Sequence, residues 1–117
     1  MKTIISLVLA CVSALAFSGV SAADDIAAGK ALTQKYSCAA CHGADFNSPV
    51  DPSYPKLAGQ HKNYLEFALV GYQRGSAGAN GRSNAIMGSQ IKSLSRQDIK
   101  NIAAYLHSLP GSLVLRK

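Results

Sequence analysis

The segment Cys38-Ala39-Ala40-Cys41-His42 carries the side chains of this sequence that could do chemistry together. Two thiols three residues apart on a helical turn lie on one face, where each can add to one vinyl group of a haem and form a thioether. His42 follows at once, so its imidazole is aimed at the iron. The five residues make up the c-type haem attachment pattern. Covalent capture turns a bimolecular encounter into fixed geometry, and the haem supplies a large apolar body to a short chain.

Three other uses of the cysteines explain less of the sequence. A thioredoxin-type Cys-x-x-Cys expects a preceding strand and a βαβ context, whereas the segment before Cys38 has helical spacing. A zinc site needs two further ligands, and His61 and His107 stand at spacings that fit no common finger. A plain disulfide leaves His42 unexplained and closes only a tiny loop. For a second axial ligand the sequence offers His61, His107 and Met87. Met87 stands in Ser83-Asn84-Ala85-Ile86-Met87-Gly88, among polar and glycine residues that read as a loop. A thioether there is a soft, neutral ligand that favours ferrous iron, whereas a core-filling methionine sits on a helical stripe. His61 reads as the end of a helix, and His107 as a cation suited to a helix C-terminus.

The elements that must position these groups are predicted to be helical. In Asp25 to Tyr36 the face is Gly29, Leu32, Thr33 and Tyr36, with Asp24 and Asp25 suited to the N-terminal end. In His61 to Arg74 it is Leu65, Ala68, Leu69 and Tyr72, stopped by Gly75. In Arg96 to Ser108 it is Ile99, Ile102, Ala103 and Leu106, with Ser95 and Asp98 as a capping box and Pro110 as the stop. Between these helices lie two irregular stretches, Gly43 to Gln60 with three prolines and Gly75 to Gly88 with its glycines. Neither alternates as a strand does, and long loops in a small domain need a body to wrap.

Residues 1 to 22 read as a cleavable export signal: Lys2, an apolar run from Ile4 to Phe17, then Val20-Ser21-Ala22 before the cut. A cut after Ala23 is the alternative. The run is shorter than the ~18 residues of a membrane anchor, so no stable membrane insertion is expected after cleavage. Cys11 lies inside the run and is discarded with it. Cleavage leaves a single domain over residues 23–117, with Cys38 and Cys41 as its cysteines and a net charge lowered from +6 to +5 by loss of Lys2. Charged residues are 15% of the chain, too few for a disordered basic tail. The cations are spread from Lys30 to Lys117 without a stripe, which argues against nucleic acid.

Four segments, KYSCAACHGADFNSP, YPKLAGQHKNYL, SNAIMG and LSRQDIKNIAAYLHSL, occur in the order found in class I c-type cytochromes. The chain resembles the small bacterial periplasmic monohaem branch of that family, and one half of its dihaem members. The resemblance implies an all-α cytochrome c fold, three main helices and two long loops wrapped around one haem c bound through Cys38 and Cys41. It implies that the first and last helices cross, with Gly29 close to the Tyr105 region. It also implies that the Pro55 carbonyl accepts a hydrogen bond from the imidazole of His42, that Tyr72 lies near the haem pocket, and that His42 and Met87 ligate the iron. Arg82 and Asn84 beside Met87 then read as a propionate partner and a group orienting the thioether. A solvated arginine and a turn asparagine are the alternative readings.

The function so implied is one-electron transfer in the periplasm, with no chemical substrate. Ala39, Ala40 and the Ile86–Met87 segment would frame an exposed haem edge. Membrane or periplasmic oxidoreductases would be the partners, met weakly and steered by charge. A cytochrome subunit of a periplasmic dehydrogenase would share every motif. A haem-based gas sensor would need a weak or absent sixth ligand, against which the Met87 segment argues.

Overall fold

The computed structural model describes Gly19 and residues 21–112, so most of the expected export signal, including Cys11, and the tail from residue 113 lie outside the described residues. Five helices and no strand occur among the described residues: α1 Ala22–Lys35, α2 Ala39–His42, α3 Lys62–Arg74, α4 Ala85–Ile91 and α5 Arg96–Ser108.

Helix α5 is the spine. Its Ile99, Ile102, Ala103 and Leu106 are buried, as their spacing predicts, and Leu65 of α3, Phe46, Ala58, Ile91 and Leu94 complete the core. Ser95 and Asp98 start α5 with a reciprocal cap: Asp98 N donates to Ser95 Oγ and Ser95 N donates to Asp98 Oδ2. Helix α1 packs against α5 through Gly29, where an added Cβ would run into the Asn101 carbonyl and come 2.8 Å from Tyr105 Cβ. Helix α1 starts earlier than the predicted Asp25, because Ser21 and Asp24 form a second capping box.

The end of α1 aims the thiols. Ser37 adopts φ +52°, Ser37 N donates to Gln34 O and Cys38 N donates to Thr33 O, which together form a Schellman stop. This reversal leads straight into α2, which carries Cys41 and His42. The first long loop is irregular, as expected, and is pinned to the end of α5. Gly59 N donates to Leu106 O, His107 Nδ1 to Gln60 O at 2.8 Å, and Asn47 Nδ2 to Pro110 O at 2.8 Å. The second loop differs from expectation, since its last part is the short helix α4. Asn84 caps that helix by accepting from Met87 N at 2.9 Å, so Met87 is helical rather than in a loop. Gly88 in its middle and a length of seven residues hide the helix from periodicity.

Candidate haem site

His42 is 6% exposed, yet no buried side-chain nitrogen or oxygen among the described residues lacks a partner. Its Nδ1 lies 2.9 Å from the carbonyl oxygen of Pro55. A carbonyl only accepts, so Nδ1 carries the proton and Nε2 keeps its lone pair. The ring is further braced by Tyr54, whose centroid is 6.3 Å away. Gly43, with φ +89°, ends α2 directly after this histidine and turns the chain into the loop that reaches Pro55.

Cys38, Cys41, His42, Pro55, Tyr72, Arg82, Asn84 and Met87 all line one cavity of about 430 Å³. The sequence singled out each of them, and the fold brings them together. His61 and His107 do not line it, and His107 is occupied with the Gln60 carbonyl. Ala39 departs from expectation: it packs against the core, and neither it nor Ala40 lines the cavity, whereas Ile86 does and is 53% exposed.

The walls are largely apolar, built from Leu57, Leu65, Leu69, Ile102 and Leu106 among others. Lys56 and Arg82 are the lining cations, and no Asp or Glu lines the cavity. Arg82 lies between two rings, 5.5 Å from the Tyr64 centroid and 5.7 Å from that of Tyr72, with Nη2 3.5 Å from Tyr64 Oη. The Tyr64 hydroxyl, then that of Tyr72, pushes the guanidinium pKa up, so the charge is fixed. Before attachment, burial pushes the Cys38 thiol above its ordinary pKa. No disulfide joins Cys38 to Cys41, so both sulfurs are available for thioether bonds. Among the described residues no group of three or more His, Cys, Asp and Glu could hold a metal ion.

Lys56, Tyr54, Tyr64 and Gln90 join this lining without having been singled out in the sequence. Tyr64 had a signal, since it stands four residues before Ala68 and eight before Tyr72 on one helical face. A haem fits the donor set: two thiols, a nitrogen lone pair, a thioether, apolar walls for the macrocycle and cations without carboxylates for its two acidic groups.

The cytochrome c family profile matches residues 26–110. Cytochrome c4 of Stutzerimonas stutzeri is 41% identical over 117 residues, covering 96% of this chain and 52% of the relative. Cytochrome c-554(548) of Halomonas halodenitrificans is 40% identical over 86 residues, 74% of this chain and 98% of the relative. The crystal structure of reduced recombinant cytochrome c4 from Pseudomonas stutzeri superposes with a TM-score of 0.61 at 39% identity, over 73% of this chain and 47% of that one. The chain thus spans about half the length of the cytochrome c4 relatives it matches. The shared stretch runs from α1 to the end of α5 and takes in the whole cavity lining, so the chain belongs to the cytochrome c family, with haem c attached covalently through Cys38 and Cys41.

Proposed function

We propose that the chain is a one-electron carrier of the bacterial periplasm, exported by residues 1–22, whose cleavage takes the Ser21 cap from α1, and working as a single monohaem domain over residues 23–117. Bound haem supplies the exchange of one electron between ferric and ferrous iron. The protein's own residues orient it, exclude water and set its potential. His42 would hold the iron through Nε2, since Pro55 occupies Nδ1, and Met87 would offer it a thioether from α4. The Pro55 bond raises the basicity of the imidazole, while the Met87 thioether favours the ferrous state. With both in place, the chain would leave no open iron position for a substrate.

Arg82, held between Tyr64 and Tyr72, and Lys56 pair with the haem carboxylates in this reading. The exposed Ile86 beside Met87 gives a small apolar contact, and a basic net charge steers acidic redox proteins toward it. Contacts of this kind are small and short-lived.

The observation that carries the reading is a nitrogen lone pair and a thioether facing one cavity that also receives both thiols. Optical spectra of the purified periplasmic protein, oxidised and reduced, test it, with acid–acetone extraction to check the covalent bond. Low-spin haem that resists extraction and shows the weak far-red iron–thioether band is the expected result. Haem without that band that binds carbon monoxide in the folded protein would replace the carrier by a gas sensor. Copurification with a larger catalytic chain would make it a dehydrogenase subunit.

A further inference from the structure

Gln73, on α3, makes two hydrogen bonds that the haem site as described does not use. Its Nε2 donates to the carbonyl oxygens of Ile91 at 2.9 Å and Leu94 at 2.8 Å. Ile91 is the last residue of α4, and Leu94 closes the turn that follows. A side-chain amide has two N–H donors, and both are spent on this one segment.

Helix α4 needs such a tie. Seven residues are too few to hold a helix by themselves, and the carbonyls of its last turn have no partners within it. Asn84 caps the front end, but it belongs to the same segment and fastens α4 only to itself. Gln73 comes from α3, the helix against which α4 packs, and so joins the rear end to the body of the protein. Met87 stands between the two fastenings. Leu94 N also donates to Ile91 O at 3.1 Å, so without Gln73 the Ile91 carbonyl keeps a partner and the Leu94 carbonyl loses the side chain that binds it.

We propose that Gln73 is a positioning residue whose paired hydrogen bonds clamp α4 to α3 and keep the Met87 thioether in the haem cavity. The proposal rests on the reading of Met87 as an axial ligand. With Ile91 and Leu94 still seated in the core, removing the clamp loosens α4 without unfolding the domain, so the thioether leaves the iron more often.

The test uses the full-length, haem-loaded protein in its ferric form. At saturating imidazole the binding rate reports how often the thioether departs. Gln73→Met has a similar length and no donors, and Gln97→Met serves as control because it removes a side-chain bond, that of Gln97 to Asn101, elsewhere on the surface. Loss of two hydrogen bonds is expected to speed imidazole binding on the order of 10- to 30-fold in Gln73→Met. Gln97→Met should leave the rate unchanged. The far-red band should also vanish at a lower temperature in Gln73→Met, with a smaller fall in the midpoint of helix melting. An unchanged rate, or band loss and melting that fall together, overturns the clamp. Absence of the far-red band from the unsubstituted protein overturns the Met87 reading and the clamp with it. Hydrogen exchange of the Gln73 side-chain amide protons in the unsubstituted protein gives an independent check: slow exchange is expected, and free exchange of both overturns the proposal.

Discussion

His42 Nδ1 donates to the carbonyl oxygen of Pro55 across 2.9 Å, and this one bond decides which imidazole nitrogen faces the cavity. The acceptor is main chain, so its position depends on the fixed φ of proline. Pro55→Gly should loosen it and make the imidazole a poorer donor to ferric iron. The reduction potential is expected to rise by about 20–60 mV, the equivalent of one net hydrogen bond in a one-electron couple. Redox titration of the two proteins checks this, and an unchanged or lowered potential would count against the bond as a tuning contact.

Gly29 is fixed by a close approach of main chains rather than by flexibility. A Cβ there meets the Asn101 carbonyl and Tyr105 Cβ, and neither can rotate aside. Gly29→Ala gains up to about 1 kcal/mol of helix propensity, but overpacking costs typically about 1–3 kcal/mol. The net expectation is a lower melting temperature with α1 lifted off α5. Thermal melts followed by circular dichroism measure it. A raised melting temperature would mean that the two helices separate at little cost.

Much of this was legible in the sequence because the relevant signals are local. The haem pattern and the α5 stripe with its Ser95–Asp98 box are each set by a few neighbouring residues, whereas the Gly29 contact joins residues far apart in the chain and was legible only through the family resemblance. What escaped depends on distant partners. The Schellman stop at Ser37 uses a serine in a left-handed conformation that the surrounding fold imposes. Helix α4 exists because Asn84 caps it and α3 supports it, although Gly88 and its short length argue against a helix. Ala39 is partly buried against the core and lies off the cavity lining, so of the expected apolar rim Ile86 is the exposed member.

Asp45 organises the turn just beyond the haem motif. Oδ1 accepts from the main-chain N–H groups of Asn47 and Ser48, each at 2.9 Å, and Oδ2 from Ser48 Oγ at 3.0 Å. These donors, that of Asn47 foremost, hold its carboxyl below its ordinary pKa. A lowered folded-state pKa means stability that is fully present above the unfolded value, near pH 4, and lost as pH falls through the folded value. Asp45→Asn should therefore melt lower than the unsubstituted protein at pH 6, with the gap closing as the pH falls through the lowered folded value. Melting curves from pH 2 to 6 check the sign; a gap that widens in acid would contradict it.

Cys38→Ala with Cys41→Ala removes both attachment points and leaves the cavity of about 430 Å³ without a covalently fixed occupant. Water then enters among the apolar walls of Leu57, Leu65, Leu69, Ile102 and Leu106, and the contacts that a haem makes with them are lost. The double variant is expected to accumulate poorly in the periplasm and to lack a cooperative melt. A folded, haem-free protein with a sharp transition would show that the helices carry the core alone.

Met87→Ala separates the ligand role from the packing role of the same side chain. Met87 is only partly buried and packs against the edge of the core, so its loss should leave α1, α3 and α5 folded and the thioether bonds at Cys38 and Cys41 intact. Removing a soft, neutral ligand withdraws its preference for ferrous iron, and the potential is expected to fall by on the order of 100 mV. The far-red band should vanish, and carbon monoxide should bind the reduced protein without unfolding it. Met87→His is the companion variant: a second imidazole restores two-ligand iron but keeps the potential low. If Met87→Ala keeps its potential and its reduced form binds no carbon monoxide, another side chain holds the iron, and Gln90 or Tyr64 in the same lining would be the next to replace.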